Sequence, residues 1–100
     1  MILIIVQHTV RDYDAWKPVF DEHEAVRRRH GATGHQIYRG ADDPNEVTIV
    51  NQFPSREQAE AFATDPSLRE AMERGGVTSE PRVTWVRDTE AVDYRQSKAA

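Results

Sequence analysis

His8 interrupts the aliphatic run ILIIVQHTV at residues 2–10, and Asn51 interrupts a second apolar run, VTIVNQF, at residues 47–53. In an extended chain alternate side chains share a face, so His8 falls with Ile2, Ile4, Val6 and Val10, and Asn51 with Val47, Ile49 and Phe53. An imidazole on such a face can take or give a proton near neutral pH, which its aliphatic neighbours cannot. Trp16, Phe20 and His23 follow at four- and three-residue steps, the spacing that puts side chains on one side of a helix. Tyr38 belongs to GHQIYRG at residues 34–40 and is expected at the His8 end of the sheet. These residues describe an aromatic pocket with a few polar groups, suited to a flat small molecule. In this reading His8 moves a proton while Trp16, Phe20, His23, Tyr38 and Asn51 hold the substrate. Each also has a plainer role: His8 as a hydrogen-bonded core histidine, Trp16 and Phe20 as core packing, Asn51 as partner to a backbone group.

Other chemistries leave less trace. The histidines at 8, 23, 30 and 35 show neither HxH nor HExxH spacing, so no metal is expected, and the chain has no Cys. It contains no glycine-rich phosphate loop and no GxSxG turn, and its serines fall at caps, turns and the tail, so neither a cofactor nor a serine nucleophile is expected.

The elements that must position these residues follow from periodicity and punctuation. Residues 2–10 are β-branched and aliphatic and predict a first strand. Asp12 or Asp14 caps a helix reaching about His30, stopped by Gly31; Pro18 is tolerated only near a helix start, so the helix proper is expected from about Trp16. Residues 34–40 and 47–53 predict a hairpin across the turn-forming segment ADDPNE. Ser55 and Gln58 have the spacing of a capping box, and the helix they begin is interrupted and restarted at Asp65-Pro66 before ending at Gly75-Gly76. RVTWVRD, residues 82–88, is the last strand, and residues 89–100 form a polar tail expected to be mobile or to reach a neighbour.

The order β-α-β-β-α-β predicts an α+β, ferredoxin-like domain over residues 1–88, a four-stranded antiparallel sheet with the first and third strands central and both helices on one face. One hundred residues without cysteine build a small core, and both faces of the central strands carry apolar side chains. A second copy packed on the helix-free face, a homodimer, is the expected cover. The net charge of −4 with interspersed signs disfavours nucleic acid. The run Arg27-Arg28-Arg29, placed against Asp21, Glu22 and Glu24, reads as a solvated helix face rather than an anion site. The longest apolar run, residues 1–6, is too short for a membrane span or signal core, so a cytoplasmic protein with no membrane partner is expected.

The segments HTVRDYDAWKPVFDEHE and HGATGHQIYRGADDPNEVTIVNQF resemble small actinobacterial-type proteins labelled cyclase-like in the dimeric α/β-barrel superfamily, with the likeness extending over residues 2 to about 88. That superfamily includes antibiotic-biosynthesis monooxygenases, aromatic polyketide cyclases, haem-degrading enzymes and stress-responsive proteins. The resemblance implies a dimeric barrel with a pocket in each subunit. Haem-degrading members use an early Asn on the first strand and a His on the second helix; this chain has Gln7 near the first position and no His between Ser55 and Gly76, so haem chemistry is not carried over. Three classes stay open: a cofactor-independent cyclase or monooxygenase for an aromatic or polyketide-like compound, a non-catalytic binder of a small aromatic molecule, and a stress-associated structural dimer. A cavity of about 300 Å³ or more beside His8 would favour the first two.

Overall fold

The computed structural model describes residues 1–95. The expectation for the tail at residues 96–100 lies outside the described residues. Four strands, β1 (Ile2–Thr9), β2 (Gly34–Arg39), β3 (Glu46–Phe53) and β4 (Arg82–Arg87), form one antiparallel sheet in the order β2-β3-β1-β4. The first and third strands are central, as expected from the ferredoxin-like order. Register places Ile4 opposite Asn51, Val6 opposite Ile49 and His8 opposite Val47, which brings the apolar alternation of both central strands onto one face. On that face Ile2, Ile4, Val6, Val47, Ile49 and Phe53 form a buried core with Trp16, Phe20, Ala59 and Phe62 from the helices.

The helical layer is more divided than periodicity predicts. The first helix appears as α1 (Tyr13–Glu22) and α2 (Glu24–Arg29), the second as α3 (Arg56–Ala63) and α4 (Pro66–Arg74). Asp12 caps α1, its side chain accepting from Asp14 N at 3.1 Å. Pro18 lies inside that helix, so the expected start near Trp16 is corrected to Tyr13; Asp12 forms the first turn ahead of the proline, its side chain and carbonyl accepting from the amides of Asp14, Ala15 and Trp16. The chain breaks instead at His23, and the cause is on the inner face. Phe20 O accepts from His23 N at 3.1 Å and from Arg27 Nη1 at 2.9 Å, where an unbroken helix would give it Glu24 N.

The end of α2 is built by Gly31, whose φ is +93°. Ala32 N donates to Arg27 O and Gly31 N to Arg28 O, the paired bonds of a glycine-terminated helix. This meets the expectation that Gly31 stops the helix. Ser55 caps α3 by accepting from Gln58 N at 3.2 Å, but Gln58 returns the bond differently from the expected box: its Oε1 accepts from the Ser55 hydroxyl at 3.0 Å. No helix among the described residues is long and apolar enough to cross a membrane.

Candidate functional site

Five of the six side chains singled out in the sequence come together under the helices. His8 is 4 % exposed, and its ring meets Trp16 edge-on with centroids 6.0 Å apart. Trp16 continues into Phe20 at 5.1 Å, and Phe20 into His35 at 4.9 Å. His8, Trp16, Phe20, His23 and Asn51 all border one cavity of about 50 Å³ between the sheet and the helical layer. That volume holds a few water molecules at about 10–15 Å³ each, well short of the cavity of about 300 Å³ looked for beside His8; His8 also borders a groove of about 260 Å³, open to solvent, at the outer end of the strand.

Tyr38 does not line the cavity. In the β2–β3 register it pairs with Thr48, while His35 pairs with Asn51 and Ile37 with Ile49. Strand alternation therefore turns His35 and Ile37 toward the helices and Tyr38 to the opposite face, where it is 54 % exposed. Its expected place beside the His8 end of the sheet holds along the strand but not through it.

Arg27 is the site residue that charge patterning concealed. It is 3 % exposed, whereas Arg28 and Arg29 lie at the surface paired with Glu24 and Asp65. The expected solvated face therefore holds for two members of the triplet and fails for the third. Arg27 continues the stripe Trp16-Phe20-His23 by a further four residues, and its guanidinium lies 3.8 Å from the Phe20 ring centroid. The other residues missed, Phe62, Leu68, Ala71 and Met72, come from α3 and α4 and close the cavity from above.

The polar bookkeeping of the site is incomplete. His8 Nδ1, Arg27 Nη2 and Asn51 Oδ1 are buried and have no hydrogen-bond partner in the protein, and all three residues border the same cavity. Folded proteins seldom leave buried polar atoms unpaired, and three around one void mark a place where polar groups from outside can bind. Burial pushes the His8 imidazole below its ordinary value, with its own backbone opposing. Burial also lowers His23 and His35, and the positive charge of Arg27 lowers both further. The site thus presents neutral imidazole, able to accept a proton, beside a fixed cation.

The cover is held by polar ties. None of the residues of α4 is buried. Its N-terminus is instead fastened to α1 and α2: His23 Nε2 meets Ser67 Oγ at 2.9 Å, and Asp65 Oδ2 accepts from His30 Nε2 at 2.8 Å and Arg29 Nη2 at 3.2 Å. Bonds from His30 and Ser67 hold the Asp65 carboxyl well below the usual carboxylate range. His30, expected to sit at a helix end, does so and spends its ring on this tie.

No family model and no curated protein matches the chain. Solved structures do. A Bordetella bronchiseptica protein named for antibiotic biosynthesis monooxygenases aligns with 89% of this chain and 97% of its own at 15% identity and a TM-score of 0.74. SnoaB of Streptomyces nogalater, described as a cofactor-independent oxygenase, aligns over 88% and 94% at 18% identity and a TM-score of 0.69. Rv0793 of Mycobacterium tuberculosis aligns over 92% and 98% at 17% identity and a TM-score of 0.67. At these identities the likeness is one of fold: the chain has the antibiotic biosynthesis monooxygenase-like α+β fold.

Proposed function

We propose that this protein binds a small aromatic or polyketide-like compound in the cavity between sheet and helices. We further propose that His8 acts there as the base of a cofactor-independent cyclisation or oxygenation. The observation that carries the reading is the convergence of three unpartnered buried polar atoms, His8 Nδ1, Arg27 Nη2 and Asn51 Oδ1, on one cavity walled by Trp16 and Phe20. A purely structural core would have replaced or paired those groups, since each costs about 1–3 kcal/mol when left unsatisfied. The lowered pKa of His8 supports a base that is neutral, hence ready, at physiological pH. Likeness of fold to a cofactor-independent oxygenase is consistent with this but selects no reaction, because one scaffold hosts many.

A ring system needs more room than about 50 Å³, so binding requires the cover to move. The element suited to that is α4, none of whose residues is fully buried: Leu68 and Met72 pack partly exposed against the core, and polar ties hold its N-terminus. The same small volume favours a second reading, a structural dimer whose pocket takes no ligand, and one experiment separates it from the enzyme and from a binder without chemistry. Thermal-shift screening with hydroxylated naphthalenes and anthracenes is expected to yield compounds that stabilise the protein, by about 2.7 kcal/mol at 100 times the dissociation constant. For those converted to product, His8→Ala should leave affinity nearly intact and lower turnover by about 10²- to 10⁴-fold. Binding without conversion would establish the non-catalytic reading, and equal conversion by His8→Ala would remove His8 from the mechanism.

A further inference from the structure

Arg27 is a buried cation without a counter-ion. Among the described residues it forms no salt bridge, and the nearby acids are committed elsewhere: Glu24 to Arg28 at 2.9 Å and Asp21 to Lys17 at 2.6 Å, both at the surface. One end of its guanidinium, Nη1, donates to Phe20 O at 2.9 Å, and the other, Nη2, is buried with no partner. Phe20 meets the guanidinium with its ring and its carbonyl, and Glu24 and Asp21 act on it through space, but no carboxylate contacts it and Nη2 stays without a partner. Taking a guanidinium out of water is costly unless its charge is met, and here it is met only in part. Arg27 also borders a more open cleft of about 270 Å³ between α2 and the start of β2, lined by Glu24, Arg28 and His35 among others. The guanidinium therefore stands between the inner cavity and an outer opening.

Resting on the reading that the cavity takes an aromatic compound, we infer that the compound is bound as an anion, with a single negatively charged oxygen placed on Arg27 Nη2. Because Nη1 is already occupied by Phe20 O, the guanidinium offers one free end rather than the two-pronged fork it presents to a carboxylate in the open. A single oxygen suffices, from an ionised ring hydroxyl or enol or from one arm of a carboxylate. Asn51 and His8 would then complete the polar contacts of the ligand, the Asn51 Oδ1 accepting from a hydroxyl.

The test compares 2-naphthoate, 2-naphthol and the neutral 2-naphthamide by calorimetric titration at neutral pH, with benzoate and benzamide as smaller counterparts so that size is varied apart from charge. The native protein is expected to prefer naphthoate over naphthamide by about tenfold or more, the usual gain of a hydrogen bond to a charged group. Arg27→Met, which keeps the bulk over Phe20 and leaves Phe20 O still paired with His23 N, should erase that preference. Bound 2-naphthol showing the absorption of its anion would identify an ionised hydroxyl as the oxygen; naphthoate preference without that signature would identify a carboxylate. Naphthamide binding as tightly as naphthoate, or the preference persisting in Arg27→Met, would overturn the inference and leave the aromatic site standing. Failure of all five compounds to bind would overturn the site itself and the inference with it. If Arg27→Met does not fold, the acid–amide comparison on the native protein decides alone.

Discussion

His8, His23 and His35 are held below the ordinary imidazole value chiefly by burial, and this has a thermodynamic consequence of definite sign. At pH below about 6.5 the unfolded chain takes up protons that the native imidazoles refuse, so stability is full above that value and is lost as pH falls toward the native pKa values. Asp65, also lowered, adds its own loss only below about pH 4, outside this window. The denaturation midpoint is therefore expected to be level above pH 7 and to fall as pH drops below about 6.5, less steeply in a His8→Gln, His23→Gln double variant. A midpoint that rises on mild acidification would contradict the burial of neutral imidazole. At this scale His8 and Asn51 were legible because a polar residue breaks a strict alternation. Arg27 was not, because two exposed arginines follow it and the triplet reads as one charged surface. Yet its step of four from His23 carried the correct signal. Tyr38 was assigned to its end of the strand correctly and to its face wrongly; Ile37, the apolar residue of β2, indicates the parity that turns His35 inward and Tyr38 out.

The elements themselves were largely written in periodicity and punctuation: all four strands and the restart at Asp65-Pro66 fall where turn formers and alternation place them. What periodicity could not show is the break at His23, since it arises when a buried guanidinium takes a helical carbonyl, an event decided by tertiary packing. The end of α2 is more local and more testable. Gly31 adopts φ +93°, and a Cβ there would overlap the Gln58 side-chain amide that partners the cap of α3. Gly31→Ala should cost about 1–2 kcal/mol from the left-handed backbone alone, read as a lower urea midpoint with an unchanged m-value. Unchanged stability would mean that the α2–β2 junction can re-form with negative φ, and that Gly31 is not what fixes the start of β2.

At the scale of the whole molecule, the sheet has one face covered by helices and one that no helix covers. The second face carries Leu3 and Ile5, partly exposed, and Val50, buried, along the central strands with Thr48 and Gln52, and the exposed Tyr38 on β2. Pairing of this face with a second copy is the arrangement that removes it from water, and sedimentation at micromolar concentration should return twice the chain mass of 11.5 kDa. A monomeric mass would show that this helix-free face is not paired with a second copy. Dimerisation concerns the outer face; on the inner one, the unpartnered atoms around the cavity are proposed to bind a ligand. The most direct measurement is the nuclear magnetic resonance of isotope-labelled His8 imidazole and Asn51 side-chain amide during titration with 2-naphthol. Saturable shifts are expected at both residues with one common dissociation constant, accompanied by changes in the backbone amides of α4 as the cover moves. Resonances of His8 and Asn51 that stay fixed at saturating ligand, while signals elsewhere on the surface shift, would contradict binding at this cavity.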